Sequence, residues 1–417
     1  MNKIWSNDLR NFFNNISSLR YAYLRFDSES IQNESELDIL VHPLDRDELI
    51  GKIYDNFVLK NQYKIVNINI SNFCSSVVVI NKDYHLESYI KFDIRSAIAK
   101  NKRLLLSHKE VNWKKLKIND FGIKQLPTNI DAGLLILRNF HDNRKYNKKH
   151  KNILNNVSNM DLTSKWLYSK GYTLDINHVS VKEKSKFLHF LEYFRTFITL
   201  TYHKFIGLKK LKIKYPNIVL YGADGAGKTT IMRELSSNFI KLGLKTRTFH
   251  FFKEFNTSKN DFISKPAKTN IKIKQGLKSN RLIGSPIFIF SYFYKVIKHF
   301  KFSIFKKKHL IIINDRYFYD AFKKSNRLKH DFTFKFLSQI TPKHEMSFIL
   351  SGSPSLIRGR KPELSSDEII NYYSLLNKFL LNKNKFSIDI NDSPKFISYE
   401  ILDSFFQHYN EHIRKKL

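Results

Sequence analysis

Nine residues from Gly222 to Thr230, GADGAGKTT, fit the anion-binding pattern G-x-x-x-x-G-K-[ST]. A polyphosphate must be met by many donors at close range with no Cβ in the way. Gly222, Gly225 and Gly227 let the backbone wrap the anion, and the N–H groups of this turn, with Ala223, Asp224 and Ala226 in it, point inward. Lys228 is expected to reach the β- and γ-phosphates and the Thr229 hydroxyl to ligate Mg²⁺. The helix that starts there, Thr230 in its first turn, aims its positive end at the anion. The chemistry is binding of ATP or GTP with magnesium; a tight turn that binds nothing is the alternative. The chain holds only 13 glycines, so three of them in so short a stretch argue against coincidence.

An anion loop of this kind needs a strand before it and a helix after it. Ile218, Val219 and Leu220 form the apolar strand, while Met232, Leu235, Phe239 and Leu242 recur on one helix face that Gly243 closes. Further strands are expected in KTRTFHF (245–251), HLIIINDRYFYD (309–320), MSFILSGS (from 346) and KFSIDIN (from 385). Open α/β sheets put their chemistry at the carboxyl ends of such strands. Asp315 is placed there to hold Mg²⁺ through water and Arg316 to clamp a phosphoryl group, with a plain strand-end ion pair as the alternative. Arg358, Arg360 and Lys361 precede a helix capped near Ser365 to Glu368, a cationic lid or else a solvated charge run.

A second constellation lies in the first hundred residues. Strands are read at 21–26, 36–42, from 64, from 76 and from 87, with a helix from Asp45 to Lys60. Glu36 and Asp38 stand two apart on one strand and project from the same face, where Asp93 could join them as a divalent-metal site. Beyond about Ser96 the pattern turns helical and basic. Between Lys186 and Lys214, and again from 287 to 309, aromatic and aliphatic residues alternate with Lys, Arg and His. Such runs suit an anionic membrane surface; the alternatives are packing between two domains, the favoured use of the first run, and a core helix with a basic tip for the second.

The chain of 417 residues carries 72 Lys+Arg against 37 Asp+Glu, a net charge of +35. That balance points to a polyanionic partner, nucleic acid without sequence preference, an anionic membrane face or an acidic glycan, or simply to a Lys- and Asn-rich composition. The single cysteine, Cys74, excludes an internal disulfide framework and fits a reducing compartment. No signal-peptide core is seen in Met1 to Arg10, and Leu282 to Tyr294 is too short to span a bilayer. The expected location is cytoplasmic, with peripheral contact at the inner membrane face as an added reading.

Over about half its length the chain resembles the thymidylate kinase family of P-loop kinases, through GADGAGKTT, NDRY at 314–317 and the cationic lid followed by Glu363. The resemblance implies ATP and Mg²⁺ as cofactors and a contact from Asp224 to the acceptor's sugar hydroxyl. It also implies transition-state cations at Lys228, Arg316, Arg358 and Arg360. Two segments depart from it. Thr246-Arg247-Thr248-Phe249 stands where the family has T-R-E-P-G, and Lys323, Lys324 and Ser325 stand near the place of A-Y-Q. Both segments serve the acceptor.

The first domain resembles the nucleotidyltransferase fold, with Ser35-Glu36-Leu37-Asp38 near its S-D-x-D strand and Leu24-Arg25-Phe26-Asp27 where a Gly-Ser turn would be. A degenerate module, an active transferase and unrelated carboxylates all stay open. The expected architecture is α/β: a nucleotidyltransferase-like domain over 1–110, a basic helical connector over 111–205 and a P-loop kinase domain with a parallel sheet over 206–417. This arrangement, with RKPEL at 360–364, is similar to bacterial proteins of surface-polysaccharide gene clusters. It implies a sugar or lipid-linked glycan as acceptor, with a nucleotide as the alternative.

Overall fold

The computed structural model describes residues 3–24, 36–60, 63–70, 74–81, 89–100, 103–119, 122–142, 146, 151, 154–155, 157, 160–175, 179–183, 193–199, 201–202, 213–250, 310–315, 344–380 and 384–417. Two compact units emerge, one of Met1–Ile213 with Asn410–Leu417, the other of Lys214–Tyr409. Lysine-rich 253–281, the aromatic run 287–309, Arg316 and Lys323–Ser325 lie outside the described residues.

In the first unit, α1 (Lys3–Asn15) precedes β1 (Tyr21–Tyr23) and β2 (Glu36–Val41). The helix expected over 45–60 is divided. An α-helix, α2 (Arg46–Ile53), passes into a wider π-turn over Tyr54–Lys60. Strands β3 (Lys64–Ile70), β4 (Cys74–Ile80) and β5 (Tyr89–Arg95) alternate buried and less buried residues, the period-two pattern of a sheet with one packed face. A hairpin of β6 (Ala97–Lys100) and β7 (Arg103–Ser107) follows. After β8 (Lys117–Ile118) and β9 (Lys124–Gln125) come α3 (Thr128–Asp142), α4 (Met160–Ser169) and a hairpin of β10 (Tyr172–Asp175) with β11 (Ser180–Glu183).

The main sheet has the order β3-β4-β5-β2-β1-β9-β8, with β2 parallel to β5. The stretch over 111–205 thus supplies strands to sheets as well as helices. Phe12, Phe57 and Phe92 meet with ring centroids 5.4–5.6 Å apart in the core, all fully buried. Asn410 acts as a surrogate strand residue: its side chain accepts from Ile65 N–H at 3.0 Å and donates to Ile65 O at 3.1 Å. β3 stands at the end of the strand order, so a buried amide meets the Ile65 backbone groups that no further strand pairs.

Glu110 joins two cations of this unit. It accepts from Lys170 at 2.5 Å, Arg195 at 3.0 Å and the Ser107 N–H at 2.8 Å. Burial by itself would raise its pKa, but the attraction and hydrogen bond of Lys170, with help from Ser107 and Arg195, hold it below the ordinary 4.5. A depressed carboxylate contributes stability that is complete above 4.5 and lost as pH falls through the folded value. Glu110→Gln is therefore expected to lower Tm near neutral pH and to flatten its fall on acidification. Parallel Tm-versus-pH curves for variant and parent would contradict this.

The second unit opens with β12 (Ile218–Tyr221), the loop, and α5 (Lys228–Lys241). It continues through β13 (Lys245–His250), β14 (Leu310–Asp315), β15 (Met346–Ser351), α6 (Pro354–Arg360), α7 (Ser366–Phe379), β16 (Lys385–Asp389) and α8 (Pro394–Arg414). Its sheet has the order β13-β14-β12-β15-β16, and every pairing is parallel. Strands this apolar, buried along nearly their whole length in β12, β14 and β15, belong inside a sheet covered on both faces. Met232, Leu235 and Phe239 of α5 are buried as their spacing implied, and Gly243 ends the helix at φ +72°. Phe239 packs on Phe405 at 4.9 Å, beside the Tyr215–Tyr409 pair at 4.8 Å.

Candidate active site

The anion loop leaves the central strand β12 at its carboxyl end, where parallel sheets gather chemistry. Gly225 at φ +97° and Gly227 at φ +80° make the two left-handed bends that turn the backbone into α5. Gly227 caps α5, whose first N–H groups have no intrahelical acceptor, as at any helix start. Gly222 is confined differently: a Cβ there would stand 3.0 Å from both the Ala226 Cβ and the Leu350 carbonyl.

Lys228 is buried, at 6% exposure, and folded back over its own loop. Its ammonium donates to Gly222 O at 2.5 Å and Ala223 O at 3.0 Å, with an Asp224 carboxylate oxygen 4.0 Å away. The exposed Thr229 and Thr230 open the first turn of α5. Asp315, 3% exposed, ends β14 in register with Leu220, two residues before Gly222. The structure thus brings Gly222–Thr230 and Asp315 to one end of one sheet.

The cationic segment takes a helical form. Pro354–Arg360 is α6, and Ser353 caps it by accepting from the Leu356 N–H. Its last turn lies on the loop: a Cβ on Gly225 would fall 2.6 Å from Ile357 O and 3.2 Å from the Lys361 Cβ. Arg358 and Arg360 are exposed, and Arg360 donates to Ile390 O at 3.2 Å. Lys361 pairs with Glu363 at 2.9 Å. Ser365 and Glu368 form the expected reciprocal cap of α7.

Sequence reading missed two residues. Tyr372 OH accepts from the Gly222 N–H and Tyr373 OH from the Ala223 N–H, each at 3.3 Å, while Tyr373 OH donates to Leu350 O at 2.6 Å. These hydroxyls tie the entry of the loop to α7 and β15 across 150 residues of sequence. Adjacent tyrosines on a helix carry no local sign of such a role. Tyr373→Phe is expected to cost about 1 kcal/mol of stability and to raise the KM for nucleotide more than it lowers kcat. An unchanged KM and Tm would remove Tyr373 from the loop's support.

The carboxylate face of the first unit is differently built. Asp38 and Asp93 are in register on parallel β2 and β5, so they share a face with Glu36. Cations sit among them: Lys91 lies 3.2 Å from Glu36 and 3.1 Å from Asp93, and Arg95 lies 3.3 Å from Asp38 and 3.8 Å from Asp93. Among the described residues no group of three or more His, Cys, Asp or Glu is placed to hold a metal ion. Beside Asp38 opens a cavity of about 280 Å³ lined also by Arg95, Asp131, Arg138 and Leu134.

No protein-family model matches this chain. A search of curated proteins finds no match either. Among solved structures, thymidylate kinase from Candida albicans aligns with 47% of this chain and 93% of its own, at 14% identity and a TM-score of 0.30. Among the described residues no helix is long and apolar enough to cross a membrane.

Proposed function

We propose that this chain is an ATP- and Mg²⁺-dependent phosphotransferase acting on a sugar or lipid-linked glycan. The observation that carries the reading is the preformed loop. Gly225 and Gly227 hold the left-handed bends, Lys228 lies across the cradle, and the N-terminus of α5 faces it. The donor set fits a nucleoside triphosphate: backbone N–H groups and one ammonium for the phosphates, the Thr229 hydroxyl and the Asp315 carboxylate for a hard divalent cation. Magnesium, when bound, would neutralise charge shared between the β- and γ-phosphates. Lys228 would exchange its two carbonyl partners for phosphate oxygens. Arg358 and Arg360, on the helix whose Ile357 carbonyl lies against Gly225, would add charge during transfer. Arg316, the residue that follows β14 in sequence, would do the same, and Asp224 would meet an acceptor hydroxyl.

Support for an acceptor other than a thymidine nucleotide is the replacement of T-R-E-P-G by Thr246-Arg247-Thr248-Phe249 on β13. For the first unit the reading is a degenerate nucleotidyltransferase-like module, supported by Lys91 and Arg95, which occupy with positive charge the face a metal would need. The test is direct. Purified protein with Mg²⁺-ATP is given, in separate reactions, polyprenyl-linked sugars, free sugars and dTMP, and ADP and phosphorylated product are read by mass spectrometry. Stoichiometric ADP and a phosphorylated sugar support the reading; product from dTMP alone replaces it with nucleotide kinase activity. ATP binding without product from any acceptor replaces it with a nucleotide-gated binding protein. Loss of a nucleotidylated product in Asp38→Asn would overturn the degenerate module.

A further inference from the structure

Residues 193–199 and 201–202 are helical, and the burial along them is inverted relative to a helix that packs by its greasy side. Thr196 is the inward residue, 2% exposed, its hydroxyl accepting from the Leu104 N–H at 2.7 Å. Tyr193, Phe194, Phe197 and Ile198 are 51%, 54%, 60% and 52% exposed. At about 100° per residue these four fall on one arc of about 140°, away from Thr196. Polar contacts grip the other side: Arg195 pairs with Glu110, and Tyr202 stacks on His108 with Lys109 4.9 Å from its ring centre. The helix is thereby held to the first unit by an alcohol, an ion pair and a stacked ring, while the four residues of the arc face out.

We propose that this arc is a docking surface for an anionic lipid bilayer, the helix lying in the interface with Phe194, Phe197 and Ile198 among the acyl chains. Two observations favour lipid over another occupant. The surrounding sequence is cationic on both sides, with Lys182, Lys184 and Lys186 before it and Lys204, Lys209, Lys210, Lys212 and Lys214 after it, against Glu183 and Glu192. The whole chain carries +35, which a bilayer rich in acidic headgroups complements and a second copy of this chain opposes. An arc of Phe, Ile and Tyr flanked by Lys is also the composition of interfacial helices, the rings at headgroup depth and the ammonium groups on phosphate. The arc takes no part in transfer chemistry, so its failure would leave the reading of the anion loop untouched.

The test is flotation of the full chain with vesicles of phosphatidylcholine alone and of about 7:3 phosphatidylcholine to phosphatidylglycerol. Binding is expected only to the acidic vesicles, weakening but persisting in part between about 0.1 and 0.5 M salt. The double variant Phe194→Ser, Phe197→Ser should bind at least about tenfold more weakly while its CD spectrum and ATP affinity stay those of the parent. In a second variant, Phe197→Trp, the fluorescence of the introduced indole should shift to the blue and be quenched by brominated acyl chains. Vesicle binding unchanged in the serine variant, or an emission spectrum of Phe197→Trp that lipid does not move, would overturn the proposal in favour of charge alone. A stable dimer in light scattering that the serine variant converts to monomer would overturn it in favour of self-association. Tight DNA binding that the serine variant abolishes would assign the arc to nucleic acid and equally overturn it.

Discussion

Lys228→Met is expected to lower phosphoryl transfer by about 10²- to 10³-fold, the usual loss when one preorganised cation or donor is removed from a transition state that spreads charge. Methionine keeps most of the buried stem, so the substitution takes away charge and hydrogen bonds more than packing. Two losses are distinguishable. The ammonium now bridges Gly222 O and Ala223 O in two buried hydrogen bonds, so removing it loosens the loop and leaves two buried carbonyls without that donor, a stability cost of about 1–3 kcal/mol. The larger loss falls on the phosphates, which nothing else among the described loop residues meets with a full positive charge. Titration calorimetry should show weaker ATP binding, and turnover should fall further than affinity does. Lys228→Arg restores charge but not shape and should recover binding before rate. Turnover within a few-fold of the parent in Lys228→Met, with the fold intact by CD, would sink the phosphotransferase reading.

At Gly225 the expected effect is on the shape of the site. Its φ of +97° is a conformation that side-chain-bearing residues adopt only at a cost of about 1–3 kcal/mol. A Cβ would also stand 2.6 Å from Ile357 O, an atom fixed in the backbone of α6 where it accepts from the Lys361 N–H at 3.0 Å. Neither partner can turn aside as a side chain could. Gly225→Ala should therefore push α6 and the loop apart, lower Tm by several degrees and weaken ATP binding at least about tenfold. Gly359→Ala is the matched control. No atom lies within 4 Å of its built Cβ, and within α6 alanine should be neutral or stabilising by up to about 1 kcal/mol. If Gly225→Ala binds ATP and melts like the parent, the contact between α6 and the loop is not part of the site.

Features that local rules govern are legible along the chain. The glycine spacing marked the loop because positive φ is cheap only for glycine, and both Gly225 and Gly227 use it. Apolar runs and the Met232–Leu235–Phe239 stripe located β12, β14, β15 and α5 because burial repeats with the period of the backbone. Ser365 and Glu368 announced the start of α7 because a cap is made within one turn. The remaining features depend on contacts between distant segments. Tyr372 and Tyr373 hold Gly222 and Ala223 from far along the chain, and Asn410 completes β3 at Ile65. The acidic face read as a metal site is shared with Lys91 and Arg95 because β5 pairs in parallel with β2 in a register that brings them level. The helical residues 193–199 and 201–202 show an aromatic arc because a threonine, not a ring, meets the Leu104 N–H inside. In each case the deciding contact joins segments that no periodicity relates, and its partner is chosen only when the sheets close.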